Sequence, residues 1–452
     1  MRRLYSLAML LAQPAVRRKL AWRARAEPLY AQAVPERFGH YDTVWPAGSG
    51  TTVWVHAVSL GETRTAALLI EQLRLALPGM RLVLSHGTAT GRAEGQRLLQ
   101  PGDVQVWQPW DSEPAVRRFL DHFQPRIGLL METEVWPNWV AACQKRGLPL
   151  VLANARLSEQ SLNKALRLAW LARPAYRGLA AVWAQTPEHA SRLRRLGAWV
   201  PGVFGNLKFD ARPDAGLLAA GRQGRAARRG PVAMLASSRM GEEAQLLGAL
   251  KEQILGARAA QEARPGAAPS SQTQWLIVPR HPQRFDQVAA LIQAQGFALH
   301  RRSQGGPWPP AEPPTDAPAP GGSLGSIWLG DTLGEMALYY GLADLALLGG
   351  SFEPLGGQNL IEAAACGCPL LMGPHTFNFA EAAGLAVAAG AAQSVASMDE
   401  ALAAAEDLLA QPERRSEMAA AADRFASAHS GAAQRTAAAV AALIGQQRVD
   451  LL

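Results

Sequence analysis

Residues 53–73 read VWVHAVSLGETRTAALLIEQL, and this stretch changes character in its middle. It begins with a short apolar run rich in β-branched residues, which is typical of a buried strand. It ends with apolar residues at helical spacing. Gly61 and Glu62 stand at the junction, where Gly61 is expected to let the chain turn and to leave room for a ligand. A strand followed directly by a helix predicts a βα unit of a parallel sheet.

The same alternation recurs along the chain. Apolar runs alternate with helical patterns from Thr52 to Asn206, pause in a polar, Gly- and Arg-rich stretch, and resume at Pro231. The predicted fold class is therefore α/β, with two Rossmann-like domains facing a central cleft. The predicted boundaries are 1–30 for an N-terminal segment, 31–212 for the first domain, 213–230 for a linker, 231–425 for the second domain and 426–452 for a C-terminal helix.

Two insertions interrupt the second domain. They are rich in Pro, Gly and Ala and span residues 257–274 and 303–325. We expect both to be mobile surface loops.

Composition narrows the class of partner. The chain has 452 residues, of which 48% are hydrophobic and 18% are charged, so it is globular and too long for one typical domain. Its net charge of +8 and pI of about 9.8 favour nucleic acid, anionic lipid or phosphorylated substrates. Three cysteines, Cys143, Cys366 and Cys368, predict a reducing compartment. Cys366 and Cys368 read as core residues rather than as a metal or redox pair, and no metal-site spacing appears.

The N-terminal segment combines apolar and basic residues. Its apolar run from Leu4 to Ala12 is too short to span a bilayer, is broken by Pro14 and precedes no convincing cleavage site. Basic residues follow it: Arg17, Arg18, Lys19, Arg23 and Arg25. The pattern suits a helix lying on an anionic membrane surface and, equally, an amphipathic helix packed on the domain.

Carboxylates follow two strands of the first domain. Glu62 either complements the dipole of its helix, with Ser59 as the cap, or serves as a general base. Glu132 and Glu134 follow the apolar run GLLM, and strand alternation places both on one face. Acidic groups at the end of a buried strand favour a site, although one of them could instead cap the helix that begins near Trp136.

Further polar residues follow other strands. Lys208 ends the first domain, and Arg280 with His281 follows a strand of the second; paired cations suit a phosphate or carboxylate ligand. Gly334 is placed at a helix start, which favours phosphate. A Gly-rich loop opens a helix with Asn359 and Glu362, and this combination suggests a nucleotide-sugar site. His375 reads as a structural histidine.

Eight motifs in one order carry a resemblance to a known family. They are HAVSLGET, METEVWPN, NARLS, GNLKFD, VPRHPQRF, GDTLGEM, GGSF with GGQNLIEAAA, and MGPHTFNF, and the similarity runs to about Gly384. Together they resemble the 3-deoxy-D-manno-octulosonic acid (Kdo) transferases, which build the lipopolysaccharide core of Gram-negative bacteria.

The resemblance implies a metal-independent, inverting glycosyltransferase of GT-B fold without a cofactor. Such an enzyme moves Kdo from CMP-Kdo to the lipid A precursor lipid IVA at the cytoplasmic face of the inner membrane. The first domain would bind the acceptor and the second the donor. By motif matching, Glu62 is the general base, and Glu132 and Lys208 stabilise the transition state. The CMP-binding positions are Pro279, Arg280, Leu333, Gly334, Glu335, Asn359, Leu360, Ile361 and Glu362.

Several positions depart from the family pattern. Residues 88–91 read TATG where TPTG is more frequent, Arg239 and Gln358 stand where His is expected, and Leu360 stands where Pro is common. Two other functions stay open at this point. A GT-B enzyme with a UDP-sugar donor would use the same scaffold, and a nucleic-acid-binding protein would suit the pI. No helix-turn-helix, OB or RRM signature supports the second, so no nucleic-acid partner is expected.

Overall fold

The chain folds into two compact units. The structure, a computed structural model, describes residues 2–45, 50–263, 273–305, 308–310 and 324–449. The first unit comprises residues 1–210 and 429–452, and the second comprises residues 211–428. Each unit is built on one seven-stranded parallel sheet.

The first sheet has the strand order β3-β2-β1-β4-β5-β6-β7. Its strands are β1 (Thr52–His56), β2 (Arg81–His86), β3 (Val104–Trp107), β4 (Ile127–Met131), β5 (Leu150–Ala155), β6 (Ala181–Ala184) and β7 (Gly202–Val203). Its helices are α1 (Arg2–Leu11), α2 (Gln13–Arg23), α3 (Leu60–Ala76), α4 (Ala89–Gly95), α5 (Glu113–Phe123), α6 (Pro137–Lys145), α7 (Glu159–Arg167), α8 (Ala169–Arg177) and α9 (Pro187–Arg195).

The core of this unit lies on both faces of the sheet. All five residues of β1 are buried, as are all five of β4. On one face the Trp54 and Trp139 rings pack with their centroids 4.5 Å apart. Gly128 of β4 makes this possible, because a Cβ there would lie 2.6 Å from the Trp54 ring. Strands buried on both faces explain the continuous apolar runs of the sequence.

The second sheet has the order β10-β11-β9-β8-β12-β13-β14. Its strands are β8 (Val232–Ser238), β9 (Gln274–Pro279), β10 (Ala298–Arg301), β11 (Ser326–Leu329), β12 (Leu345–Leu348), β13 (Leu370–Met372) and β14 (Ala392–Ser394). Its helices are α10 (Ala215–Ala226), α11 (Glu242–Ala263), α12 (Phe285–Ala294), α13 (Met336–Leu342), α14 (Leu360–Ala365), α15 (Ala380–Ala388), α16 (Met398–Ala410) and α17 (Pro412–Ala428).

Two predicted segments take a different form. Residues 213–230 are not a plain linker, because α10 forms within them and packs against α13 of the second unit. The two helices cross closely: a Cβ at Gly221 would lie 2.2 Å from the Leu338 carbonyl oxygen. The first insertion begins as helix, since α11 extends to Ala263. The remainder of that insertion to residue 272, and most of the second, lie outside the described residues.

The last helix returns to the first unit. Helix α18 (Ala432–Val449) packs against α3, and its Ala437, Val440 and Ile444 join the buried cluster on one face of the first sheet. The Asp210 carboxylate accepts hydrogen bonds from the backbone N–H groups of Gly431 and, at 2.5 Å, Ala433. These bonds satisfy N–H groups that the start of a helix leaves unpaired.

The N-terminal segment forms two helices that rest on the first unit. The Ser6 hydroxyl donates to the Asn138 side-chain oxygen at 2.7 Å, and the Trp110 indole donates to the Met9 carbonyl at 2.7 Å. Pro14 lies in the first turn of α2, where its missing N–H costs nothing. Within the described residues, no helix has the length and apolarity that crossing a bilayer requires.

Candidate active site

The candidate residues of the first unit gather at one edge of its sheet. The chain leaves β1 toward β2 on one side, while β4 follows on the other, so the strand order reverses between β1 and β4. In open α/β sheets, ligands bind beyond the carboxyl ends of the strands at such a reversal. Glu62 follows β1 and Glu132 follows β4.

Glu62 is held by the turn that precedes its helix. The Val58 N–H donates to Oε2 at 2.9 Å, and the Ser59 hydroxyl donates to Oε1 at 3.3 Å. Ser59 is the N-cap of α3, so Glu62 does complete a capping arrangement. Gly61 lies inside the first helical turn and has no left-handed backbone, so the prediction that it turns the chain is wrong. Apart from its chain neighbours and the backbone of its own helix, no heavy atom of the described residues lies within 4 Å of the place where its Cβ would be.

The protonation of Glu62 departs from that of an ordinary cap. Burial raises the pKa of Glu62 to about 7; the hydrogen bond from Val58 opposes this shift, and the negative charges of Glu132 and Glu134 add to it. A carboxyl that titrates near neutrality can take up a proton at physiological pH. The three carboxylates therefore form one electrostatic cluster.

Glu132 has an unusual backbone and a buried side chain. Its φ of 57° lies in the left-handed region, and it is only 4% exposed. Its carboxylate accepts a hydrogen bond from Arg156 Nε at 2.6 Å. The Arg156 backbone N–H also donates to the Glu132 carbonyl at 3.1 Å. Strain of this kind persists only where the surroundings hold it, and it is concentrated at functional sites.

Glu134 does not share a strand face with Glu132. The strand β4 ends at Met131, and a turn carries both glutamates, so the prediction from alternation is wrong. The Trp136 indole donates to the Glu134 carboxylate at 2.8 Å. Burial raises the pKa of Glu134, and the Trp136 hydrogen bond opposes that shift.

Lys208 lies in a turn tied to the same edge. The turn, Leu207–Asp210, packs against α3, and the Leu207 N–H donates to Asn154 Oδ1 at 3.1 Å. Asn154 belongs to β5, beside β4, and is itself left-handed with φ of 52°. The turn that carries Lys208 is thereby placed next to the elements that carry Glu62 and Glu132.

In the second unit, cations collect at the ends of β8 and β9. Arg280 Nε donates to the Gln358 side-chain oxygen at 3.2 Å. Partial burial lowers the pKa of His281, and the positive charges of Arg239, Arg280 and Arg284 lower it further. Gln358, which departs from the family pattern, thus positions an arginine.

Two buried glutamates that the sequence analysis missed hold this edge in place. Glu242 accepts hydrogen bonds from the N–H groups of Arg239, Gly350 and Phe352, at 2.8, 2.8 and 3.1 Å. Glu243 pairs with both terminal nitrogens of Arg284, at 2.7 and 3.0 Å. Two adjacent acidic residues in GEEAQ follow the apolar run of a strand, and this pattern could have indicated buried glutamates at the edge of the sheet.

The predicted CMP-binding residues fall into three segments of the second unit. Pro279 ends β9 and precedes Arg280. Leu333, Gly334 and Glu335 precede α13, which begins at Met336, so the helix start predicted at Gly334 is wrong. The Glu335 carboxylate is held by Arg302 at 2.8 and 3.1 Å, and this hydrogen bonding lowers its pKa.

The third segment has the predicted form. Asn359 occupies the N-cap position of α14, which begins at Leu360, but its side chain makes no capping hydrogen bond. Leu360 and Ile361 are buried, and Glu362 is half-buried. Asn359 Oδ1 is buried without a hydrogen-bond partner among the described residues.

Comparison with known proteins places the chain in a family. The sequence model described as "3-Deoxy-D-manno-octulosonic-acid transferase (kdotransferase)" matches residues 32–211. The 3-deoxy-D-manno-octulosonic acid transferase of Bordetella pertussis is 45% identical over 422 residues, which cover 92% of this chain and 93% of that protein. The chain belongs to the Kdo transferase family.

A second relative carries the same name, and one solved structure shares the fold. The Kdo transferase of Haemophilus influenzae is 29% identical over 83% of both chains. A glycosyltransferase from Rickettsia africae, 12% identical, superposes with a TM-score of 0.53 over 88% of this chain and 99% of that one, which shows the fold alone. This Kdo transferase family member thus has the α/β architecture of GT-B glycosyltransferases, built on two parallel-sheet units.

The Arg156–Glu132 pair can be tested through stability. In Arg156→Gln, the Glu132 carboxylate stays buried without its cation, and we expect the free energy of unfolding to fall by about 1–3 kcal/mol. The double variant Arg156→Gln/Glu132→Gln removes the charge and should recover most of the loss. Denaturant unfolding followed by tryptophan fluorescence measures both.

The control is Arg64→Gln, which breaks an exposed pair with Glu94. Exposed pairs contribute about 0–1 kcal/mol, so this variant should unfold almost like the wild type. Equal losses for Arg156→Gln and Arg64→Gln would mean that the buried pair does not hold Glu132.

Proposed function

We propose that this protein transfers Kdo from CMP-Kdo to a hydroxyl of the lipid A precursor lipid IVA, with inversion and without a metal ion. The observation that carries the proposal is the carboxylate of Glu62, which lies at the strand reversal of the first sheet with a pKa raised to about 7. A sugar hydroxyl is a weak nucleophile until a base removes its proton during attack.

The proposed reaction is one displacement. Glu62 accepts the proton of the acceptor hydroxyl. At the same time, the oxygen of that hydroxyl bonds to the anomeric carbon of Kdo. The bond from that carbon to the CMP phosphate breaks on the opposite side, and CMP leaves with the electron pair. Glu132 would stabilise positive charge on the sugar, and Lys208 and Arg280 would stabilise the departing phosphate.

The donor is proposed to bind to the second unit. The candidate contacts are Pro279, Arg280, Leu333, Gly334, Glu335, Asn359, Leu360, Ile361 and Glu362. Positive charge around His281 supports a phosphate ligand at the ends of β8 and β9. The burial of Leu360 and Ile361 implies that α14 contributes backbone groups, whereas the Glu335 carboxylate, already paired with Arg302, positions its loop.

The enzyme is further proposed to work at the cytoplasmic face of the inner membrane. Helix α1 turns Leu4, Leu7 and Leu11 outward, with exposed fractions of 64%, 53% and 73%, while its Ser6 faces the domain. Trp22 of α2 is 68% exposed. An outward apolar face beside basic residues suits an anionic bilayer surface.

Replacing Glu62 should remove most of the transfer activity without unfolding the protein. Glu62→Gln keeps an oxygen for the Val58 N–H but cannot take up a proton, and we expect the rate to fall at least roughly a hundredfold. Purified enzyme is incubated with CMP-Kdo and lipid IVA in the presence of EDTA, and products are read by mass spectrometry. The anomeric configuration of the product, from NMR, reports inversion.

Glu71→Gln on the exposed surface of α3 is the matched control and should transfer normally. Near-normal transfer by Glu62→Gln would remove Glu62 from the mechanism. Absence of product from a wild-type protein that UDP stabilises and CMP does not would instead favour a UDP-sugar donor.

The pH dependence should report the same carboxyl. Because burial raises the pKa of Glu62 to about 7, the base is protonated below that pH, and kcat/KM should fall about tenfold per unit well below it. Ser59→Ala removes a hydrogen bond that lowers this pKa, so its acid limb should lie at higher pH. An acid limb near pH 4.5 in both proteins would contradict the assignment.

Membrane binding should depend on the outward leucines. The triple variant Leu4→Gln/Leu7→Gln/Leu11→Gln should lose sedimentation with anionic vesicles, because it removes the apolar face and leaves the packed face intact. Leu75→Gln, at an exposed leucine of α3, is the control. Raising the salt concentration should weaken wild-type binding to anionic vesicles; unchanged sedimentation of the triple variant would contradict the proposal.

A further inference from the structure

A cavity of about 210 Å³ lies in the first unit, between α2 and the loops that follow β2, β3 and β4. Its lining includes Gly87 after β2, Trp110 after β3 and Trp136 after β4. Sites for whole small molecules usually measure roughly 300–1,000 Å³. This cavity is therefore the right size for one group of a larger ligand.

Three cations line the cavity: Lys19, Arg23 and Arg37. Arg37 is fixed in place, because its Nη2 donates to the Gly87 carbonyl at 3.0 Å and its guanidinium lies 4.0 Å from the Trp107 ring centroid. Arg23 lies over the Tyr30 ring at 5.4 Å. Two guanidinium groups held by aromatic rings form a preorganised donor set for an anion.

Asp111 also lines the cavity, but its carboxylate is hydrogen-bonded to groups other than the three cations. The Asp111 carboxylate accepts hydrogen bonds from the Tyr5 hydroxyl at 2.9 Å and from the N–H groups of Asn138 and Trp139 at 3.1 and 3.0 Å. Its partners are thus the start of α6 and a residue of α1. Burial raises the pKa of Asp111 to about 6, and the hydrogen bonds from Asn138, Tyr5 and Trp139 oppose that shift by stabilising its charged form.

The cavity adjoins the carboxylate cluster on two sides. On one side, the Gly87 N–H donates to the Val58 carbonyl at 3.2 Å, and the Val58 N–H donates to Glu62 at 2.9 Å. On the other side, the Trp136 indole donates to Glu134 at 2.8 Å. A ligand with a hydroxyl at Glu62 can therefore extend an anionic group into the cavity.

The cavity also adjoins the outward apolar helix. Trp110 lines it and donates its indole N–H to the Met9 carbonyl of α1 at 2.7 Å. Val16 and Leu20 of α2 complete an apolar wall. A ligand in this position would have an anion among arginines and an apolar part near α1, which is the chemistry of a phosphorylated glycolipid.

We propose that this cavity binds a phosphate group of the acceptor glycolipid, with Arg37, Arg23 and Lys19 as its donors. The inference rests on the proposed Kdo transfer to a lipid A precursor. It assigns these three cations to acceptor binding, whereas Arg18 and Arg25, which do not line the cavity, stay available to the membrane surface.

The test pairs enzyme variants with two forms of acceptor. Full-length protein in detergent micelles is assayed at saturating CMP-Kdo with lipid IVA and with the same lipid after enzymatic removal of its phosphates. Arg37→Gln and Arg23→Gln should each raise KM for lipid IVA roughly tenfold or more, as expected for a lost charge-assisted hydrogen bond. Their kcat and their KM for CMP-Kdo should stay unchanged. With the dephosphorylated lipid, both variants should match the wild type.

Lys145→Gln, at the exposed end of α6, is the charge-matched control and should behave as the wild type with both lipids. Equal losses with both lipids would mean that the arginines act only structurally and would overturn the inference. A rise in KM for CMP-Kdo alone would assign the cations to the donor phosphate and would overturn it as well. Wild-type KM and kcat for lipid IVA in both arginine variants would also overturn the inference.

A second readout separates this inference from the proposed function. Calorimetric titration with glucosamine 1-phosphate and with glucosamine measures phosphate binding without transfer. If the wild type transfers no Kdo yet binds the phosphorylated sugar through Arg37 and Arg23, the proposed function fails and the phosphate site stands. If transfer occurs but neither variant changes lipid IVA kinetics or sugar phosphate binding, only the phosphate site fails.

Discussion

The candidate site depends on the backbone N–H and carbonyl of Val58. Its N–H holds the Glu62 carboxylate, and its carbonyl accepts hydrogen bonds from the N–H groups of Gly87 and Thr88 and from the Thr88 hydroxyl. One residue in the loop between β1 and α3 therefore fixes the carboxylate and also fixes the entry of the chain into α4. Because Gly87 also borders the cationic cavity, the Glu62 carboxylate and the cavity are both held through the backbone of Val58.

The contacts with Val58 let Glu62 take part in capping α3 while its pKa stays near 7. A cap on the protein surface keeps its carboxylate in water, whereas Glu62 is half-buried near two further carboxylates. The single strong hydrogen bond from Val58 does not offset the cost of burial. The capping interpretation and the catalytic one are therefore compatible, because the capping contacts orient a group whose protonation is set by burial and charge.

The sequence predicts the central strands of both sheets. Strands buried on both faces appear as continuous apolar runs, and these were found. Strands β3, β10 and β14 lack such a run, because they lie at sheet edges and their residues are only partly buried. Glu62 and Glu132 were both predicted as candidates from their places after strands, but the left-handed backbone of Glu132 and its pairing with Arg156 depend on contacts between strands that no local pattern encodes.

The return of α18 to the first sheet affects the order in which the protein matures on the ribosome. The second unit is one uninterrupted stretch of chain and can be complete while residues 429–452 are still being synthesised. The first unit, although it is made first, lacks until then the helix that covers one side of α3 and satisfies Asp210. The helix that carries Glu62 is thus left partly uncovered during translation, and the first unit is completed last.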